Sequence, residues 1–157
     1  MKRTAKVIAL VLLLPLVALA WFRFASSRPD NLGVQQGRLT PCPDSPNCVS
    51  TQSEDTQHKI EPIPYQGSPE QAISRLKSVI EALPRTQIVS ETNRYLHVEF
   101  TTALVRYVDD VEFLVDEASQ TIQFRSASRV GYSDLGANRK RMEQVRRAFE
   151  AAAQPGS

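Results

Sequence analysis

The sequence predicts an α+β fold in two layers, an antiparallel meander with two helices on one face, preceded by an N-terminal apolar leader. Three observations predict it. Residues 94–101, 108–116 and 121–129 each alternate apolar and polar side chains, and short turns join them, which is the pattern of consecutive antiparallel strands with one buried face. Ala72, Ile73, Leu76, Val79, Ile80 and Leu83 recur at spacings of three and four, so a helix there has one apolar stripe. Leu135, Met142, Val145 and Phe149 predict a second stripe near the end of the chain.

The leader comes first. Lys2, Arg3 and Lys6 precede a run of sixteen residues, 7–22, without a charged or polar side chain other than the indole of Trp21. A positive start and an apolar run are the marks of an export segment. Ala18-Leu19-Ala20 fits a cleavage site, while Trp21, Phe22 and Arg23 fit the interfacial end of a retained anchor. Residues 1–22 are therefore read as a signal peptide or an N-terminal membrane anchor. Both place the rest of the chain outside the cytoplasm, in the periplasm or on the periplasmic face of an inner membrane. No cysteine follows the apolar run directly, so a lipid-modified cysteine is excluded.

The leader holds three of the chain's 19 basic residues and none of its 17 acidic ones, so the remainder is net −1. That balance excludes the positive footprint of a nucleic-acid binder. Charge is nonetheless uneven: Asp109, Asp110, Glu112, Asp116 and Glu117 precede Arg125, Arg129, Arg139, Lys140, Arg141, Arg146 and Arg147. The plain interpretation is two solvated faces with ordinary cross-pairing.

Residues 23–40 contain Pro29, Gly33 and Gly37 without periodicity and read as a flexible tether. The single domain follows over residues 41–153. Its two cysteines, Cys42 and Cys48, flank a proline-rich loop, and in an exported chain they predict a disulfide. The rival is a metal site, but there is no second cysteine pair, and the nearest imidazole is His58. No metal and no cofactor is expected.

Within the domain, residues 58–65 alternate weakly, and Pro62 and Pro64 demote them to an edge strand or extended arm. Ser68, Pro69 and Gln71 form a capping box with proline at the first helical position, and Pro84 ends that helix. A short strand at 87–91 precedes the three clear ones. On these, Leu96, Val98, Phe100, Val111, Phe113, Val115, Ile122 and Phe124 point to one face. Ser133 or Asp134 is expected to cap the last helix. Asn138 falls on that helix's apolar stripe, so it must be hydrogen-bonded or face an opening.

The blocks CPDSPNCVS, YLHVEF, VRYVDDVEF and RSASRVGYSDLGANRKRMEQVR together resemble the domain-of-unknown-function 1499 family, from about residue 41 to residue 149. Departures are single conservative positions, such as Thr51. The resemblance implies a small protein, exported or membrane-attached, of bacterial or plastid-related kind. It implies no activity, cofactor or catalytic residue.

Chemistry is sought on the polar sheet face, where His97, Glu99, Asp110, Glu112, Arg125 and Arg129 should stand side by side. The plain expectation is cross-strand ion pairs on a wet surface. The functional one is a shallow cleft in which Glu112 holds Arg125 toward an anion. Nearby, Gly131 and Gly136 open the turn before the last helix. Its N-terminus beside Arg129 and Arg139 is a candidate anion site, with Tyr132 and Asn138 as specificity groups, unless Ser133 and Asp134 already satisfy its amides. The ligand-binding candidates are thus Arg125, Arg129, Tyr132, Asn138 and Arg139. Catalysis has less support: Ser126, Ser128 and Ser133 lie in no nucleophile-elbow motif, and His97 with Glu99 or Asp110 is the one hydrolytic arrangement available. The function read from the chain is a non-catalytic, membrane-tethered or periplasmic binding or assembly module. Its partner would be an anionic small molecule, a lipid headgroup or an envelope protein. A hydrolase around His97 is the alternative, and a purely structural role in envelope assembly is a third.

Overall fold

A computed structural model describes Leu13 and residues 26–153. The leader expected at residues 1–22, as a signal peptide or an anchor, lies outside the described residues, Leu13 apart. Among the described residues no helix is long and apolar enough to cross a membrane.

The alternating segments form the predicted meander. Strands β5 (Thr86–Glu91), β6 (Tyr95–Thr101), β7 (Val108–Asp116) and β8 (Thr121–Ser128) pair antiparallel in chain order. Two short strands share the outer edge of β8: β3 (Cys48–Ser50) pairs with its second half and β4 (Ile63–Pro64) with its first. Pro64 is tolerated because β4 is an edge strand, where a missing donor costs no ladder bond.

Register sets the two faces. Leu96, Phe113 and Phe124 are aligned across three strands, as are Val98, Val111 and Ser126. Helices α1 (Pro69–Glu81) and α2 (Ala137–Ala151) bury this face with Leu76, Ile80, Met142, Val145 and Phe149, all at most 1% exposed. Each such side chain contributes about 1.5–3 kcal/mol when fully removed from water. The capping box of α1 is present in both directions: Ser68 Oγ accepts from the Gln71 amide at 3.3 Å, and Gln71 Oε1 accepts from the Ser68 amide at 3.0 Å. Thr86 Oγ1 lies 3.1 Å from the carbonyls of both Ile80 and Leu83, so its hydroxyl is shared between them just past the helix end. The disulfide joins Cys42 and Cys48, beside β3. A loop this short contributes about 2–3 kcal/mol in the chain-entropy model.

Three expectations need correction. Helix α2 starts at Ala137, with Gly136 as N-cap at φ 80°, so neither Ser133 nor Asp134 occupies the cap position. The Asp134 carboxylate still serves the helix start, accepting from the amides of Gly136 and Asn138 at 3.0 and 2.6 Å. Leu135, expected on the buried stripe, is 96% exposed at φ 54°, because the left-handed residues 135 and 136 break the helical spacing before it begins.

The third correction concerns residues 26–40, expected as a flexible tether. They carry a hairpin of β1 (Val34–Gln35) and β2 (Arg38–Leu39). Its two-residue turn has positive φ at both Gln36 and Gly37, the arrangement that suits the right-handed twist of paired strands. Leu39 is buried, and its amide donates to Gln52 Oε1 at 2.9 Å. This segment lies as a strap over the sheet face that the helices leave uncovered, so the polar face is not wet.

Candidate functional site

The strapped face is built from two cross-strand rows. His97, Glu112, Arg125 and Ser50 are aligned across β6, β7, β8 and β3; Glu99, Asp110 and Ala127 form the next row. His97, Asp110, Glu112 and Arg125 are all buried. Burying charge is costly unless each group is paired and hydrogen-bonded, and most of these are.

Arg129 is the hub. Its Nε and Nη2 reach Asp110 Oδ2 and Oδ1, both at 2.7 Å, a two-pronged bond matched to a planar carboxylate. Nη2 also meets Glu99 Oε1 at 2.5 Å, and Nη1 donates to the carbonyl of Ser26 at 3.2 Å. His97 Nε2 lies 2.8 Å from Asp110 Oδ1. Arg28, from the strap, donates to Glu99 Oε1 at 2.9 and 2.6 Å. Glu112 Oε1 accepts from the Tyr95 hydroxyl at 2.8 Å and from the Gly33 amide, again from the strap, at 2.6 Å. One joint is loose: Arg125 Nη1 is 3.6 Å from Glu112 Oε2, and that oxygen and Arg125 Nε are buried without a hydrogen-bond partner.

The electrostatics follow from these bonds. Burial raises the Asp110 carboxyl, but the bonds from Arg129 and His97 outweigh it, and the net shift is downward. Glu99 behaves alike, with burial opposed by Arg129 and Arg28. Burial raises the Tyr95 hydroxyl, and the neighbouring Glu112 adds to that, so it stays protonated as a donor. The Arg129 guanidinium is held above its usual value by its bonds to Asp110, against burial. Arg125 is lowered by burial, which the Glu112 charge only partly offsets.

Carboxyls whose folded values lie below their ordinary 3.8 and 4.5 add stability that is complete above those values and is lost as pH falls through the lowered ones. The denaturation midpoint should therefore be flat down to about pH 5 and fall below it. An acid limb that is unchanged when Arg129 is replaced by leucine would contradict the assignment.

The structure divides the predicted site residues. Arg125 and Arg129 stand with His97, Glu99, Asp110 and Glu112 beneath the strap. Asn138 is on the opposite side of the sheet, fully buried on the inner face of α2. Its Oδ1 accepts from Ser126 Oγ at 2.5 Å and Arg141 Nη1 at 2.7 Å; its Nδ2 donates to the Asn47 carbonyl at 2.9 Å and Ser128 Oγ at 3.0 Å. It is hydrogen-bonded, as its place on the stripe required, and it faces no opening. Tyr132 is exposed in the loop before α2, and Arg139 donates to the Gln57 carbonyl at 3.0 Å. The five ligand-binding candidates do not converge, and Asp134 occupies two of the amides an anion would have used. Cys42 and Cys48 are consumed by the disulfide. Among the described residues no group of three or more His, Cys, Asp or Glu side chains is placed to hold a metal ion.

Sequence reasoning missed Asn47, Asp109 and the strap contacts. Buried Asn47 ties the cysteine loop to the end of β8, with Nδ2 donating to the Gly131 carbonyl at 2.6 Å. Asp109, on the helix-covered face, is matched by Arg141 Nη2 at 2.5 Å, and the Arg141 guanidinium also lies 4.9 Å from the centre of the Phe100 ring. Its signal was present, since alternation puts Asp109 on the same side as Val111.

What the fold and these rows define is an α+β domain whose ionic sheet face is closed by its own N-terminal strap. The chain belongs to the protein-of-unknown-function family DUF1499, whose family model matches residues 38–149. No curated protein matches it.

Proposed function

We propose that the protein is a non-catalytic module, held at the outer face of a membrane by residues 1–22, that engages its partner through surface loops and not through its ionic core. The observation that supports this is the use made of the charged residues. Arg28, Arg125 and Arg129 stand against Glu99, Asp110 and Glu112, cation for carboxylate. Such a set carries no net charge to attract an anion, and three of its bonds clasp the strap at Ser26, Arg28 and Gly33. The hydrolase alternative keeps one contact in its favour, His97 to Asp110. Against it, His97 is 3% exposed, Arg129 occupies both Asp110 oxygens, and among the described residues no serine hydroxyl bonds to His97.

The test is the mature chain itself. Its mass should show residues 1–22 retained, and alkaline extraction should leave it in the membrane fraction. A processed chain beginning near Trp21 in the soluble fraction would overturn the tether. A phosphate-dependent rise in melting temperature that Arg125→Gln abolishes would favour the anion site instead.

A further inference from the structure

One end of the sheet gathers most of the exposed large hydrophobic side chains among the described residues. The β6–β7 loop (102–107) and the β8–α2 loop (129–136) leave adjacent strands at the same end, since Thr101 pairs with Val108 and Asp109 with Ser128. Of the seven exposed large hydrophobic side chains among the described residues, five lie in these two loops: Leu104, Val105, Tyr107, Tyr132 and Leu135. Leu104 is 94% exposed and Leu135 96%, and the left-handed backbone at Leu135 is one that leucine seldom adopts. Neither packing nor turn chemistry calls for leucine at such a place, and clustered apolar exposure marks a contact surface.

The same end carries exposed cations, against the single carboxylate of its two loops, Asp134, which is bonded to the amides of Gly136 and Asn138, and it lies next to the start of the strap. Arg85 and Lys140 line a groove of about 270 Å³ there, beside Thr102 and the first residue of α2. Arg106 is exposed in the β6–β7 loop. Ser26 sits at this end through its bond from Arg129. Only residues 23–25 separate Ser26 from the apolar run that ends at Phe22, so the covalent chain allows at most about 14 Å between them. Because the strap is bonded to the sheet at three points, that short link cannot swing the domain far from whatever holds residues 7–22.

We infer that this end of the domain docks on the surface of an anionic-lipid bilayer, with Leu104, Val105, Tyr132 and Leu135 entering the interface and Arg85, Arg106 and Lys140 facing the headgroups. Apolar side chains bury in the headgroup–acyl boundary while flanking cations meet anionic lipid, the physics of interfacial segments. The inference rests on the tether proposed above, and it names the partner that the exposed loops engage.

Tryptophan fluorescence tests it in the full chain, in phosphatidylcholine–phosphatidylglycerol vesicles with and without bromine-labelled acyl chains. Trp21 is the only tryptophan, so Trp21→Phe gives a dark background. Leu104→Trp and Leu135→Trp report the docking end; both positions are exposed, so neither change disturbs the core. Asn93→Trp, in the exposed β5–β6 turn, reports the opposite end. Quenching severalfold stronger at 104 and 135 than at 93 is the expected result. Equal quenching at all three overturns the docking. A concentration-dependent blue shift without quenching also overturns it, and points to a second copy of the chain. Flotation after an alkaline wash reports the tether separately. A chain that floats with unquenched loops overturns the docking alone; one quenched before the wash and removed by it overturns the tether alone.

Discussion

Replacing Arg129 with leucine is expected to destabilise the protein by roughly 3–5 kcal/mol, the range for breaking a buried ion pair from one side. The cost arises from what is left behind. Asp110 keeps only His97, and Glu99 keeps only Arg28, whose side chain is 49% exposed. The Ser26 carbonyl loses its donor as well, so the strap should loosen. A domain of this size would lose roughly 10–20 °C of melting temperature. Arg129→Lys should recover part of the loss, because an ammonium restores charge but cannot span both Asp110 oxygens. Denaturant unfolding of the full chain in detergent measures this. A change below about 1 kcal/mol, the size of an exposed pair, would show that the network is not closed by the strap.

Asn138→Leu should cost roughly 3 kcal/mol, although leucine has the same branching and number of side-chain heavy atoms and the position lies on an apolar stripe. Asparagine offers two donors and two acceptor positions, and all four are used here. Leucine would leave the Asn47 carbonyl and the hydroxyls of Ser126 and Ser128 without that partner, each at a cost of about 1–3 kcal/mol if left unmet. The damage is expected at three elements together, because Asn138 joins α2 to β8 and to the cysteine loop. Adding Ser126→Ala to Asn138→Leu should cost less than the sum of the two changes, since one removes the hydroxyl that the other strands. Strict additivity would contradict the network.

The meander was legible because period-two alternation is a direct consequence of the pleat. His97, Glu99, Asp110, Glu112 and Arg125 could be assigned to one face on that basis alone. The cover over that face was not legible. The strap has no periodicity, its strands are two residues long, and two of its bonds come from the main chain, the Gly33 amide and the Ser26 carbonyl, which no side-chain pattern announces. Asn47 was hidden in part for the same reason, since its carbonyl receives Asn138. Leu135 misled because its spacing to Met142 is helical, while the left-handed Gly136 between them ends that logic. Asp109 was read with its acidic neighbours by proximity in sequence, where alternation separates it from Asp110 and sends it under α2 to Arg141.

The central claim is that residues 26–40 are bonded across the ionic face and do not hang free. Amide hydrogen exchange on the full chain tests it most directly, at Gly33, whose amide donates to Glu112 Oε1, and at Leu39, whose amide donates to Gln52 Oε1. Both amides should exchange slowly, and Glu112→Gln should accelerate Gly33 while sparing the centre of β7. Exchange of both at the rate of an unstructured peptide would contradict the account.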